Sequence, residues 1–455
     1  MSRYLIVAAA LLAAGAPMAA QSSPAPASQS ADFWQQMGDT TLARLTAESL
    51  RANRDVAMAS ARVRQARALR TNARLDLAPT VTVGGGVTRQ RLSGASFGLE
   101  VPDRNLWDVG LTAAWELDLF GRLRGNLRGR NALVSSAAED VRDLERIVTA
   151  ELANAYYDLR GAQDRLDVAN RNAGNQRRTL ELTQTRLREG RGTGFDTERA
   201  QAQLSSTLAT IPRQLSRAAA AGHRIGVLVG RDPQSILAEL EHPCVVEPEQ
   251  PCPPPELPGE LVPGDTDSLI RARPDVRAAE RRLAAGTAFT RAARADYLPR
   301  ISLGGTAGYT ATAFDSIGSN GTGRYAVGPM ITWPGLNLGR VKAAADEARA
   351  LEAEAQAQYE QTVLLAREEL ATARVAYAMA RERLTQLELA AAASNRAAEL
   401  ARLRFTGGVA DFLQVLDAER SLLTAQDQLA EGRTDAVTAL VAVYRASGSG
   451  VRPAR

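Results

Sequence analysis

The sequence predicts an α+β fold in which long coiled-coil helices carry short β-hairpins, and in which one such unit occurs twice. Three observations predict this fold. Apolar residues recur at alternating spacings of three and four over long stretches, apolar and polar residues alternate strictly in short ones, and the second half of the chain repeats the first. The first pattern is typical of coiled coils, the second of half-buried strands, and the third of an architecture built from related units.

The first 20 residues have the pattern of a secretory signal peptide, in which a basic residue precedes an apolar run and then small residues. Here Arg3 precedes the apolar residues 4–14, and small residues extend to Ala20. The run is shorter than the roughly 20 apolar residues of a membrane-spanning helix, and no later run reaches that length. We therefore expect export of the chain and a mature protein without a helical membrane anchor.

The repeat relates the two halves of the chain at a nearly constant spacing. Asp55 and Pro79 correspond to Asp275 and Pro299 at an offset of 220 positions, and the segment that follows Trp115 matches its partner at an offset of 218. The predicted divisions are a signal peptide at 1–20, a first repeat at 21–230, a proline-rich connecting loop at 231–265, a second repeat at 266–446 and a flexible tail at 447–455.

Each repeat contains a long heptad segment. In the first copy it runs from Leu123 to Arg188 without proline, and at about 1.5 Å per residue it predicts a helix roughly 100 Å long. A tube or spacer needs such a helix, whereas a globular domain does not. The glycines at 190–194 follow this helix rather than a strand, so we interpret them as a turn between coiled-coil helices and not as a dinucleotide-binding loop.

Each repeat also contains a predicted hairpin, formed by segments 79–92 and 106–120 in the first copy and by 299–312 and 324–338 in the second. Pro329 and Pro334 indicate an edge strand or a kink. Strands of about ten residues in an exported chain favour an outer-membrane barrel, with the clustered tryptophans and tyrosines at its interfaces. Four strands cannot close a barrel, so several chains must share one.

Composition excludes other classes of protein. The 55 basic and 51 acidic residues give a formal charge of +4 and are interspersed, so nucleic acid is not an expected partner. Two histidines and two cysteines cannot supply the usual metal clusters, and no catalytic constellation appears. We therefore expect no enzyme activity, metal or cofactor.

The two cysteines, Cys244 and Cys252, lie eight positions apart in the proline-rich loop. An oxidising compartment would let them form a disulfide, and a redox or metal-binding role is the alternative. No partner residues cluster with them, so we predict a structural disulfide. Its contribution to stability should be small because the closed loop is short.

The most specific stretches are Arg273–Val276, Asp296–Pro299 and the run from Arg404 to Arg420. They resemble the TolC-type outer-membrane efflux proteins, and in particular the outer-membrane factors of RND-type drug efflux systems. The resemblance implies a TolC-like homotrimer in the cell outer membrane, in contact with its lipids. Four strands from each chain would complete the β-barrel, and the long helices would form an α-helical barrel in the periplasm. It also implies passive export of substrates delivered by an inner-membrane RND-type pump and a periplasmic adaptor (membrane fusion) protein.

The resemblance also implies the functional residues. A periplasmic gate is expected at Leu413, Asp417 and Arg420, with Asp411 nearby. Leu413 can supply an apolar plug, while Asp417 and Arg420 are three apart on a helix and can pair within or between chains. The tip turns expected to contact the adaptor contain Arg186, Gly190, Thr193, Asp196, Arg404 and Gly408.

Two alternative functions stay open from the sequence. One is the outer-membrane component of a type I protein secretion system, because relatives of this family export polypeptides as well as small compounds. The other is a secreted structural coiled-coil protein, which the two hairpins and the duplication disfavour. The exported substrate is not specified by the sequence.

Overall fold

The computed structural model describes residues 39–91, 103–240, 257 and 265–448. The predicted signal peptide and the predicted disulfide between Cys244 and Cys252 lie outside these residues. Among the helices in the described ranges, none combines the length and the apolar character needed to cross a membrane.

The two halves of the chain share a pair of helices, two strands and a long helix in the same order, and they differ in the helices that follow. The first half consists of α1 (Thr40–Ala52), α2 (Arg54–Leu75), β1 (Thr80–Gln90), β2 (Arg104–Leu117), α3 (Arg122–Arg188), α4 (Gly194–Leu208), α5 (Ile211–Leu228) and the single turn α6 (Leu237–Leu240). The second half consists of α7 (Thr266–Ala272), α8 (Pro274–Ala295), β3 (Arg300–Ala311), β4 (Gly323–Thr332), α9 (Leu338–Thr406) and α10 (Phe412–Ala446). The predicted α+β fold with an internal repeat is confirmed.

The four strands form one antiparallel sheet in the order β1-β2-β3-β4, so β1 and β4 are its edges. Pro329 lies in β4 opposite Leu303, in agreement with the prediction of an edge strand. The prediction that this strand extends to residue 338 was wrong. The strand ends at Thr332 because Pro334, in a helical conformation, leads into the 3₁₀ turn Gly335–Asn337.

The long helices match the heptad prediction closely. α3 has 67 residues and α9 has 69, and α3 begins one residue before the predicted start. The helices that return from the tip differ between the copies. In the first copy a new helix begins at Ile211, with Pro212 in its first turn. The segment that returns from the tip is therefore divided into α4 and α5. In the second copy α10 runs for 35 residues without interruption.

Aromatic side chains mark both ends of the sheet. At the end nearer the helices, the Trp115 indole donates a hydrogen bond to the Leu77 carbonyl oxygen (2.9 Å), and the equivalent Trp333 donates to that of Tyr297 (3.0 Å). At the other end Trp107 packs edge-on against Phe314, with ring centroids 5.2 Å apart. Tryptophans at two levels of one sheet fit the interface positions expected of a membrane barrel.

In the ranges that the structure describes, two separate apolar cores hold the helices together. The larger lies where α1, α3, α5, α9 and α10 meet, and its fully buried residues include Leu152, Ile225, Leu370, Leu440 and Tyr444. The smaller lies at the far tip of the long helices and is built from Ala173, Leu180, Ala200, Leu204, Phe405, Phe412 and Val415. The tip therefore has a packed interior of its own, which positions the turns that carry the candidate site.

Candidate functional site

The two tip turns have the same backbone structure. After α3, the N–H of Arg191 donates to the Arg186 carbonyl oxygen (2.8 Å), and after α9 the N–H of Val409 donates to that of Arg404 (2.9 Å). Each turn requires one residue in the left-handed region, with φ of +69° at Gly190 and +75° at Gly408. Glycine takes this conformation without steric cost, so these two positions specify where each helix ends.

The helices that follow the turns begin at equivalent capping residues. Thr193 and Asp196 form a reciprocal capping box at the start of α4. Asp411 caps α10 by accepting a hydrogen bond from the N–H of Gln414 at 3.0 Å. The side chains of these three predicted site residues therefore hold the helix starts in place.

One arginine connects the two turns. The Arg186 guanidinium lies 4.0 Å above the centroid of the Phe405 ring and donates to the Phe405 carbonyl oxygen at 3.2 Å. The Phe405 ring packs in turn on that of Phe412, with centroids 5.8 Å apart. This contact links the α3–α4 pair to the α9–α10 pair at the tip, through a cation–π interaction and a charged hydrogen bond.

A buried carboxylate connects the same two pairs about two helical turns further from the tip. The Glu419 residue is only 2% exposed, and its Oε1 accepts from Arg402 Nε (2.9 Å) and from Thr179 Oγ1 (3.1 Å). Glu419 is not among the site residues predicted from the sequence. A signal was present, because Phe412, Val415, Glu419 and Leu422 follow a 3-4-3 spacing in which one member of an apolar face is acidic.

The expected gate residues share one exposed face of α10. Leu413, Asp417 and Arg420 are all exposed and lie at positions i, i+4 and i+7, on the opposite side from the buried Phe412 and Val415. Within the described part of the chain, no salt bridge joins Asp417 to Arg420. Of the two pairings considered from the sequence, the one between chains therefore remains as a hypothesis.

The tip surface around the turns is rich in exposed apolar side chains. The exposed fraction is 65% for Phe195, 69% for Leu403 and 72% for Val409. Among the residues expected to contact an adaptor, Gly190, Thr193, Arg404 and Gly408 are exposed, and Arg186 and Asp196 are half-buried. A surface of this kind suits contact with another protein.

A second cluster of charges lies at the other end of α10, far from the tip. Arg273, only 3% exposed, bonds to Asp275 (2.7 Å), Glu369 (2.8 Å) and the Ala446 carbonyl oxygen (2.8 Å). Arg146 bonds to Asp143 (2.6 Å) and to the Arg445 carbonyl oxygen (2.5 Å).

In this cluster the arginines Arg146, Arg273 and Arg445 balance the acids Asp143, Asp275 and Glu369, so no net charge is left to hold an ion. We therefore interpret it as structural. Across the part of the chain that the structure describes, no group of histidine, cysteine and acidic residues is arranged to hold a metal.

Comparisons with known proteins agree with this architecture. The model of the family described as "Outer membrane efflux protein" matches residues 45–231 and 266–449. The chain is 30% identical to the outer membrane protein OprJ of Pseudomonas aeruginosa, over 90% of this chain and 85% of OprJ. It is also 30% identical to the toluene efflux pump outer membrane protein TtgF of Pseudomonas putida, over 90% and 84% of the two chains. The structure of the outer-membrane channel OprN superimposes with a TM-score of 0.84 at 40% identity, over 92% of each chain.

Proposed function

The chain belongs to the outer membrane efflux protein family, and we propose that three copies assemble into a single duct that exports small molecules. The protein is the outer-membrane channel component of an efflux pump. It resides in the outer membrane and extends into the periplasm.

The observation that carries the assembly of several copies is the open four-stranded sheet, and the number three rests on the resemblance to the TolC-type proteins. Both edge strands, β1 and β4, have unpaired backbone groups, and in lipid each such group costs several kcal/mol. Pairing of the edges between copies removes this cost, and three copies supply twelve strands, enough for a closed barrel. The long helices beneath the sheet continue the wall of the duct into the periplasm.

We propose that the duct is loaded by a periplasmic adaptor (membrane fusion) protein and an inner-membrane RND-type pump. The exposed apolar residues around the tip turns support an adaptor contact there, and Gly190, Arg404 and Gly408 lie within that surface. The channel itself catalyses no reaction in this proposal and takes its driving force from the pump. Its helices provide a conduit rather than a site for chemistry.

The tip also carries the proposed gate. Leu413, Asp417 and Arg420 occupy one exposed face of α10, and a threefold arrangement of this face would narrow the duct. Pairing of Asp417 with Arg420 of the next copy would hold the tip closed by a ring of exposed ion pairs. Such pairs contribute roughly 0.2–1 kcal/mol each, so binding of a partner could favour the open state.

For the cargo, we propose small and largely apolar organic compounds. TtgF is the outer membrane protein of a toluene efflux pump, and the present chain matches it over most of its length. Type I protein secretion has no comparable support among these relatives.

Mass measurement in detergent and conductance in planar bilayers test the proposal. We expect a trimer that yields discrete channels, whereas the same protein dissociated by heat should yield none. In an efflux-deficient strain, expression of this chain with its pump and adaptor should raise the tolerated concentration of toluene, and the chain alone should not. A monomeric protein without conductance would overturn the proposal.

A further inference from the structure

Basic residues are concentrated where four helices meet the sheet. The eight residues nearest the sheet in each of α2, α3, α8 and α9 contain nine basic and no acidic residues, although the whole chain has 55 basic and 51 acidic ones. The links between these helices and the strands add three aspartates, which leaves a net charge of +6 in each chain. We call the nine residues the basic band: Arg70, Arg74, Arg122, Arg124, Arg128, Arg291, Arg294, Arg340 and Lys342.

Both repeats contribute to the basic band at equivalent positions. An offset of 220 relates Arg74 to Arg294, and an offset of 218 relates Arg124 to Lys342. Lys342 is the only lysine of the chain, so the second repeat supplies a positive charge at this position with a different side chain. The feature that the two repeats share here is therefore the charge and not one specific side-chain contact.

Most of the basic band has no acidic partner. Arg122 bonds to Glu116 at 2.7 Å and Arg124 bonds to Asp118 at 3.0 Å. The other seven form no salt bridge in the described part of the chain. Six of these seven are also exposed, namely Arg74, Arg128, Arg291, Arg294, Arg340 and Lys342. Like charges in this number repel one another, so the band lowers the stability of the protein unless a counter-charge covers it.

Part of the basic band lies on the same side as the apolar face of the sheet. Trp115 and Glu116 point to opposite faces of β2, because successive side chains of a strand alternate. Arg122, which bonds to Glu116, is therefore on the polar side that faces the duct. Arg124 lies about 200° further round α3, and Arg128 follows one turn later on the same face. Both of these arginines are thus on the outer side, the side of Trp115.

α8 adds a further arginine to this outer side. It contacts α3 at Ala292, whose Cβ would lie 3.1 Å from a Cβ added at Gly125, and it contacts α9 at Thr290, which donates to the Ala348 carbonyl oxygen at 3.0 Å. Arg291 lies between these two positions and is exposed. Because α8 is right-handed and runs antiparallel to α3, Arg291 falls on the outer side, on the helix next to that of Arg128.

Two tryptophans indicate the depth of the basic band in the membrane. Trp115 and Trp333 lie at the end of the sheet nearer the helices, the position of an aromatic girdle at the lower boundary of the hydrocarbon. The headgroup region on each side of a bilayer is about 5–8 Å thick. Eight helical residues extend about 11 Å, so the basic band begins where the apolar face ends and covers the depth of the headgroups.

We propose that the basic band binds the phosphate groups of anionic phospholipids in the leaflet that faces the periplasm. This inference deepens the proposed function by naming a lipid partner, and it rests on the membrane barrel of that proposal. Arginine binds phosphate through two parallel hydrogen bonds, and lysine binds it as a point charge. Arg124, Arg128 and Arg291 supply such groups on the outer side of the first three helices, and Lys342 supplies the group equivalent to Arg124 on α9.

The charge of the band selects the class of lipid. A net charge of +6 in each chain attracts lipids with a net negative charge, whereas a zwitterionic headgroup has none to offer. The apolar acyl chains of the same lipid would cover the apolar face of the sheet directly above. One molecule thus satisfies both surfaces, which a free phosphate ion cannot do.

Native mass spectrometry of the intact protein in detergent tests the proposal, with phosphatidylglycerol or phosphatidylcholine of identical acyl chains added. We expect phosphatidylglycerol to bind roughly tenfold more tightly, because each basic residue near an anionic lipid surface changes the affinity by roughly fivefold. The preference should fall as ionic strength rises, because salt screens exposed charges. Equal binding of the two lipids by a trimer would overturn the proposal.

Charge removal assigns the preference to the band. Combined Arg128→Gln, Arg291→Gln and Lys342→Gln should abolish it, and the single variant Arg128→Gln should reduce it roughly fivefold. The matched control combines Arg213→Gln, Arg217→Gln and Arg396→Gln, three exposed arginines of α5 and of the part of α9 far from the sheet, and should keep the preference. An unaltered preference in the single variant, or an equal loss in the control, would overturn the assignment.

Inorganic phosphate separates a lipid site from a site for the free ion. At the concentration that saturates the band with phosphatidylglycerol, it should not displace the lipid. Displacement at equal concentration would assign the band to free phosphate and overturn the lipid proposal. Each of these contrary results in a protein whose mass is that of a trimer leaves the duct intact, whereas a monomer by mass would contradict the proposed function itself.

Discussion

Asn53 and Arg273 occupy equivalent positions in the two repeats, and each holds the last residue of the returning helix in its own half. The Asn53 amide donates to the Leu228 carbonyl oxygen at 2.9 Å, and the Arg273 guanidinium donates to the Ala446 carbonyl oxygen at 2.8 Å. The same junction is thus made once by a neutral side chain and once by a buried ion cluster.

Because of this difference, we expect alanine substitutions of Arg273 and Asn53 to lower the free energy of unfolding by unequal amounts. Arg273→Ala should destabilise the protein by about 3 kcal/mol, because it leaves two partly buried carboxylates without their partner. Asn53→Ala should cost about 1–2 kcal/mol, the loss of a cap and one buried hydrogen bond. Denaturant unfolding in detergent measures both, and equal costs would contradict the distinction between the two junctions.

The same cluster predicts a loss of stability in acid. Burial raises the pKa of Asp275 and of Glu369, but the hydrogen bonds and charge of Arg273 outweigh it and hold both pKa values below their ordinary range. Both carboxylates therefore stabilise the fold above their ordinary pKa, and the contribution is lost as the pH falls through the lowered values. Asp143 has the opposite effect on the pH dependence of stability, because burial raises its pKa.

Unfolding temperatures between pH 7 and pH 3 test this expectation. The double variant Asp275→Asn with Glu369→Gln should be less stable than the unmodified protein at pH 7. It should lose less stability between pH 5 and pH 3, because the two titrating groups are absent. Parallel pH profiles for the two proteins would show that these carboxylates do not govern acid stability.

The buried carboxylate at the tip should matter more than exposed ones on the same helix. Glu419→Ala removes the acceptor shared by Arg402 and Thr179 and should cost roughly 1.5–3 kcal/mol, the usual range for hydrogen bonds to a charged group. Glu431→Ala, which removes a half-exposed partner of Arg165, should cost less than about 1 kcal/mol. The rate of amide hydrogen exchange at the tip should rise only in the Glu419→Ala variant. An unchanged rate in that variant would contradict a role of Glu419 in stabilising the tip.

The gate proposal predicts a change in conductance without a change in assembly. Replacing Asp417 and Arg420 together by alanine should raise single-channel conductance several-fold while the trimer stays intact. The matched control is the exposed pair Arg383 and Asp435, 2.5 Å apart and roughly 27 Å further along α10, whose replacement by alanine should leave conductance unchanged. Unaltered conductance in a correctly assembled Asp417 and Arg420 variant would remove these residues from the gate.

Local patterns in the sequence are sufficient to predict the helices and strands of this protein. Spacings of three and four gave the long helices to within one residue at the start of α3, and strict alternation located the strands. Gly190 and Gly408 placed both tip turns, because glycine adopts a left-handed conformation without steric cost. These features depend on residues close together in the chain, so a local pattern is sufficient to predict them.

Which helices meet, and through which side chains, depends on contacts between residues far apart in the chain. Arg186 reaches Phe405 across 219 positions, and Thr179 reaches Glu419 across 240. A heptad pattern identifies the face that a helix buries but not the helix that covers it. The same limit applies to Asp417 and Arg420, whose spacing permits a pair that the chain does not form within its described residues. Partner choice depends on packing summed over entire helices, and that sum is fixed only when the chain is folded.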